Sequence, residues 1–240
     1  MNKLLKYSLM LAVAVALFVV VGWAQDGNEL PVEQELSLMK VASKGGLLML
    51  PLLLLSLVAV YIFFERLLTI NKATKVDPRF MDNIKECIRD GRFDAAKALC
   101  QRESAPIARM VEKGISHLGR PLSDIREAVE NVGGLEVARL ERGVPMLATT
   151  AGGAPMLGFL GTVIGMVQAF YNMSQAGSNI DISLLSGGIY TAMVTTIAGL
   201  TVGILAYFEY NYLSTRIKNF VNKMEANTIY FMDILNEPSK

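Results

Sequence analysis

Seven threonines, Thr149, Thr150, Thr162, Thr191, Thr195, Thr196 and Thr201, lie in two tracts free of Asp, Glu, Lys, Arg and His: residues 143–180 and residues 182–208. A hydroxyl donates one hydrogen bond and accepts others. A row of them inside an apolar stretch can hold water or support a proton-carrying group without burying a charge. A hydroxyl has no pKa suited to taking and releasing protons near neutrality. This set therefore offers half of a proton relay, and the ionisable carrier must come from a partner helix. No other chemistry competes with it. The phosphate-binding pattern GxxxxGK[ST] is absent, no membrane His/Asp/Glu cluster exists, and no nucleophile–base pair lies within evident reach. No catalytic residue, cofactor or enzymatic activity is expected. Cys87 and Cys100 lack CxxC spacing, and His117 is the lone histidine, so no metal site is expected either.

Two apolar helices must position the hydroxyls, Pro145 to Phe170 and Leu184 to Phe208. Each exceeds the ~20 residues that span a bilayer. In the first, Gly158, Gly161, Thr162, Gly165 and Ala169 recur every three or four residues. In the second, Gly188, Ala192, Thr195, Gly199, Gly203 and Ala206 do the same. Such narrow faces let helix backbones approach closely. Gly158, Gly161, Gly165, Gly188, Gly199 and Gly203 are assigned to packing. Two readings stay open on composition alone: tight packing and nothing more, or packing plus a polar path, favoured by more hydroxyls than packing requires.

The rest of the chain supplies a third span and a charged domain. Met1–Ala24 has a basic start (Lys3, Lys6), a short apolar run and small residues before Gln25, the grammar of a cleaved signal peptide. An uncleaved first span is the alternative. Residues 25–46 form an acidic external arm, and 47–70 a first mature span in which Pro51 is tolerated. Residues 71–142 carry 14 Lys/Arg and 12 Asp/Glu, a solvated mixed-sign surface. Asp77-Pro78, Asp90-Gly91, Pro106 and Gly119-Arg120-Pro121 punctuate it into short helices. Met81, Ile84 and Ile88 recur at helical spacing, as do Ile107, Met110 and Val111. Ile125, Val129, Val132, Leu135 and Leu140 trace one further helix, loosened at Gly133-Gly134 and running toward or into the second span, 143–173. A loop at 174–183 without Lys or Arg precedes the third span, 184–208, and a basic tail, 209–240, extends that helix. Glu65 and Arg66 read as interfacial anchors, Glu209 as a solvated helix end and His117 as an exposed or capping residue.

The basic segments place 71–142 and the tail in the cytoplasm, and the arm and the 174–183 loop outside. The net charge of +1 gives no reason to expect a nucleic-acid partner. The expected fold is all-α: an integral membrane protein with three mature transmembrane helices, two of them extended into a cytoplasmic helical domain.

The tracts Gly158-Phe159-Leu160-Gly161-Thr162-Val163-Ile164-Gly165-Met166 and Gly188-Ile189-Tyr190-Thr191-Ala192-Met193-Val194-Thr195-Thr196-Ile197-Ala198-Gly199-Leu200 resemble the proton-channel family of ExbB, TolQ and flagellar MotA, most closely its ExbB branch. The resemblance implies a homopentamer in the bacterial inner membrane around an ExbD-like single-span protein that carries a membrane aspartate. It implies that proton motive force drives a TonB-like protein for outer-membrane uptake, with a TolQ-like envelope-maintenance motor as the nearest rival and a non-conducting membrane scaffold as the rival from another class. The family's two pore threonines fall on Thr162 and Thr196, with Thr191 and Thr195 as weaker pore-lining candidates. A glutamate of some relatives falls on Thr191, which removes a carboxylate from this subunit.

Overall fold

The computed structural model describes residues 46–175 and 182–236, and the signal-peptide, arm and external-loop expectations lie wholly or largely outside them. Seven helices and no strand occur among the described residues: α1 (Met49–Thr74), α2 (Phe80–Arg89), α3 (Phe93–Arg102), α4 (Pro106–Ile115), α5 (Leu122–Glu141), α6 (Val144–Gln175) and α7 (Ile182–Asn236). The fold is all-α, as expected. Three tracts are long and apolar enough to cross a membrane: Met49–Thr74, Leu122–Gln175 and Leu185–Asn236. The chain forms two compact units, one containing α1 to Glu65 with Val144–Asn211, the other Arg66–Gly143 with the chain from Tyr212 onward.

In the first unit α6 and α7 touch backbone to backbone. A Cβ built on Gly199 would lie 2.6 Å from the Ala154 carbonyl oxygen and 2.8 Å from the Gly158 Cα. One built on Gly188 would meet the Ala169 Cβ at 2.6 Å and the Gly165 oxygen at 2.9 Å. Only a hydrogen fits at these crossings, which is the physical reason for glycine there. Pro155 lies inside α6, and its ring occupies the space a side chain on Gly203 would need. The opposite faces are apolar and outward: Phe159 is 67% exposed and Val167 63%. Apolar exposure on this scale suits lipid or a partner subunit, not water.

In the second unit short helices bury Ile84, Ala96, Cys100, Met110, Val129, Ile217, Met224 and Phe231. Gly114 carries no side chain because the Phe231 ring and Val129 fill that space. Glycines end the helices where the chain must turn through positive φ, as at Gly91 (φ 69°) and Gly119 (φ 90°). Pro106 opens α4 as foreseen. Asp77 caps a turn ahead of α2: its Oδ1 accepts from the Arg79 N–H at 2.9 Å, and the helix itself starts at Phe80.

Three details depart from the sequence reading. α5 does not run into α6, because Arg142 turns and Gly143 takes φ 83° before Val144 restarts the helix. α5 is unbroken at Gly133-Gly134; Gly133 is buried under Met110, where a Cβ would lie 2.9 Å from the methionine methyl. The buried face of α5 is Ile125, Val129, Gly133, Glu136 and Leu140, so Leu135 turns outward at 64% exposure and a glutamate takes its expected place. Glu136 is satisfied by Arg109 of α4, through a short ion pair, and by Arg139 at 2.6 Å. The Arg139 guanidinium stays in water, whereas Arg109 is part-buried: its Nη1 donates to Ser104 O at 2.9 Å and its Nε is buried without a partner among the described residues.

Replacing Gly199 by leucine should force α6 and α7 apart and lower stability by about 1–3 kcal/mol or more, read as a fall in the melting temperature of the detergent-solubilised protein. Gly152→Leu, where nothing lies within 4 Å of the added Cβ, should not lower it.

Candidate functional site

The α6–α7 crossing brings together two of the four threonines nominated for a pore. Thr162 and Thr196 meet through a short hydroxyl–hydroxyl contact across the helix pair. Both also reach one carbonyl: the Gly158 oxygen lies 3.3 Å from Thr162 Oγ1 and 3.2 Å from Thr196 Oγ1. Thr196 has a further acceptor in Ala192 O at 3.2 Å. Each hydroxyl owns a single proton, so two protons are shared among two carbonyls and the hydroxyls themselves. Such a pair can change partners by rotating a C–O bond. Both side chains are half-buried, so neither is sealed within this one chain.

Thr195 and Thr191 sit differently. Thr195 is 1% exposed, packs into the space left by Gly161, and donates back into its own helix to Ala192 O at 2.9 Å or Thr191 O at 3.2 Å. Thr191 donates to Gly187 O at 3.1 Å and meets no hydroxyl of α6. Thr150 is also buried, its hydroxyl spent on Met146 O at 2.9 Å. Thr149 and Thr201 donate to carbonyls of their own helices. Most of the hydroxyl surplus is thus absorbed within single helices. Gly158, as the shared acceptor, went unnoticed in the sequence because a glycine displays no side chain; its carbonyl is exposed to α7 only by the crossing.

Other nominated residues have structural roles. His117 Nδ1 lies 3.0 Å from Lys113 O near the end of α4, which fits a capping histidine. Arg66 donates to Arg139 O at 2.9 Å. Glu209, the first carboxylate after the second tract, is half-buried rather than solvated, and its Oε2 finds no hydrogen-bond donor among the described residues. No group of three or more His, Cys, Asp or Glu side chains among the described residues could hold a metal. Cys87 and Cys100 are buried free thiols, and burial, with a smaller contribution from the Glu112 charge, pushes the Cys100 thiol up to about 12.

An all-helical membrane protein whose spans meet along an uncharged seam with a hydroxyl pair at its crossing defines the class to which this chain is assigned. The model of the MotA/TolQ/ExbB proton channel family matches residues 102–226, more than half of the chain and both helices of the seam. An ExbB homolog of biopolymer transport from Methanothermobacter thermautotrophicus is 30% identical over 177 residues, covering 72% of this chain and 62% of that protein. The match to that relative thus spans less than two thirds of its length. An ExbB-like biopolymer transport protein of Synechocystis is 34% identical over 180 residues, 71% of this chain and 68% of the relative. The Tol-Pal system protein TolQ of Haemophilus influenzae is 38% identical over 98 residues, 41% of each chain. The chain belongs to the MotA/TolQ/ExbB proton channel family.

The thiolate is the reactive form of cysteine, so Cys100 should resist alkylation in the folded protein. In a Cys87→Ala background at pH 8, iodoacetamide labelling followed by mass should be slower than in denaturant by on the order of a hundredfold or more.

Proposed function

We propose that this chain is the channel and stator subunit of a motor in the bacterial inner membrane, driven by proton motive force and of ExbB type. It works as a homo-oligomer, five subunits by family resemblance, around an ExbD-like single-span protein that carries a membrane aspartate, and it energises a TonB-like protein for outer-membrane uptake. The segment 71–142 and the tail lie in the cytoplasm, in keeping with their basic flanks. The observation that carries this reading is the Thr162–Thr196 pair. It is the point where hydroxyls of both helices converge, and it lies in tracts that hold no Asp, Glu, Lys, Arg or His of their own. A carboxylate brought there by a partner could accept a hydrogen bond from each hydroxyl when ionised. Once protonated, it could donate to a hydroxyl or to the Gly158 carbonyl. The partner's aspartate carries the proton, and the threonines lower the free energy of its charged form in a low-dielectric seam.

A TolQ-like role in envelope maintenance is the second reading, favoured by the 38% identity to a TolQ over the 98 residues of that match. The co-purifying single-span partner, identified by mass, separates the two.

Valine is close to threonine in shape but lacks the hydroxyl. Thr162→Val and Thr196→Val should each lower proton-motive-force-dependent uptake on the order of tenfold, the effect of about 1.4 kcal/mol in a barrier. Assembly should survive, because a membrane hydrogen bond averages only about 0.6 kcal/mol. Full uptake by both variants overturns the assignment. Loss of uptake accompanied by dissociation of the complex, seen in its intact mass, returns the pair to packing alone.

A further inference from the structure

The second unit presents two unlike flanks on either side of α7. On one flank, α5 and the last turns of α7 leave a groove of about 600 Å³. Met110, Met224 and Met232, each at most 6% exposed, form its floor, and Val137, Val221 and Ile229 its walls. Gly134 and Ala138 leave the α5 side low, and a Cβ built on Gly134 would meet nothing within 4 Å. Glu130, Glu141, Glu225 and Arg126 rim the groove, three carboxylates against one guanidinium. On the other flank the end of α1 meets α7. There Arg216 Nη2 donates to Asn71 Oδ1 at 2.6 Å, beside a smaller pocket that Thr74, Asn219, Phe220 and Lys223 also line. Residues 66–76 and 212–224, which form this flank, hold six cations and no carboxylate. Among the described residues, none of the four rim charges, nor Lys72, Lys75 or Lys223, is ion-paired.

We propose that the groove is filled by a second copy of this chain, whose cationic α1–α7 flank packs against it head to tail. An apolar floor rich in methionine with charges confined to the rim has the make-up of a subunit interface. Ile229, on the wall, stays 60% exposed. The acidic rim calls for cations, and this chain carries them, without carboxylate partners, on the flank across α7. The aliphatic stems of those lysines and of Arg216 can cover apolar wall while their heads reach the carboxylates. Leu68 and Tyr212 in the same stretches, 48% and 49% exposed, add apolar contact.

Placement on α7 makes the two flanks mates. At about 100° per residue, Arg216, Asn219 and Lys223 centre roughly 150° around the helix from Val221, Glu225 and Ile229. Complementary patches on opposite sides of one helix cannot meet within a chain. They join copy to copy, heterologously, and close a ring where the rotation permits. The levels agree too. In a ring about an axis parallel to α7, residues at one height meet, and Glu225 lies two residues, about 3 Å, beyond Lys223. Lipid does not reach the groove: Ile229 follows Phe208 by 21 residues, about 30 Å of helix, and the headgroup layer is only about 5–8 Å deep. The inference rests on the homo-oligomeric reading, adds where the copies meet, and is independent of proton conduction.

The test places the photoprobe p-benzoylphenylalanine at position 229 of the full-length protein in bacterial membranes, with crosslinked peptides identified by mass spectrometry. The probe should join a second copy within 66–76 or 212–224, giving a covalent dimer on a denaturing gel. Glu141→Lys with Glu225→Lys, or Lys75→Glu with Lys223→Glu, should each lower the dimer yield roughly fivefold. All four changes in one chain should restore most of it, because the flanks then exchange signs. Residues two apart on a helix do not face each other, so the rescue acts between copies. Ala138→Trp, which fills the groove without changing charge, should lower the yield as well. A crosslink to a different protein or to another part of the chain, no crosslink, or no rescue by the fourfold exchange overturns the interface. Intact mass of the complex separates the two readings: an oligomer without this crosslink rejects the groove alone, and a monomer rejects the groove and the oligomer together.

Discussion

Backbone-to-backbone contact between α6 and α7 is the constraint on which the seam depends. Where Gly158 faces Gly199 and Gly165 faces Gly188, nothing larger than hydrogen separates the helices. In lipid there is little hydrophobic drive to pair two apolar helices, so close dispersion contact and hydrogen bonding must supply it. Glycine serves the first need directly. It serves the second indirectly, because closeness brings Thr196 within 3.2 Å of a carbonyl on the other helix. A larger residue at a crossing would thus remove packing and polar geometry together.

The same closeness explains why so few of the threonines converge. A threonine in a helix can bond the carbonyl three or four residues back, and Thr149, Thr150, Thr191 and Thr201 do so. This satisfies the hydroxyl without any partner helix. Thr162 and Thr196 differ because the crossing gives each a second oxygen to choose. The crossing, rather than the number of hydroxyls, sets this pair apart.

The charged unit solves a different problem with the same economy of size. Gly114 and Gly133 admit Phe231 and Met110 into the interior. Glu136 takes a buried position on α5 and is held by the part-buried Arg109 and by Arg139, whose charge remains in contact with water. The basic stretches at 66–76 and 212–224 are kept apart from the carboxylates of α2–α5 in sequence. The short helices therefore carry charges of both signs, while the charged residues within 66–76 and 212–224 are all cations.

Composition and periodicity alone determined the helical class, the apolar spans, the breaks at Gly91, Pro106 and Gly119, and the small-residue faces. Each of these is a local property: length sets span, φ preference sets turns, and 3.6-residue spacing sets faces. Resemblance, not periodicity, singled out Thr162 and Thr196 from seven similar residues. Tertiary structure decided what depends on a neighbour. It chose which hydroxyls meet, made the Gly158 carbonyl a shared acceptor, rotated α5 so that Glu136 rather than Leu135 is buried, and gathered Thr74, Arg216 and Lys223 around one pocket. A sequence states what a residue can bond to; only the packed chain fixes which partner stands within 3 Å, because that distance is set by helices far apart in the chain.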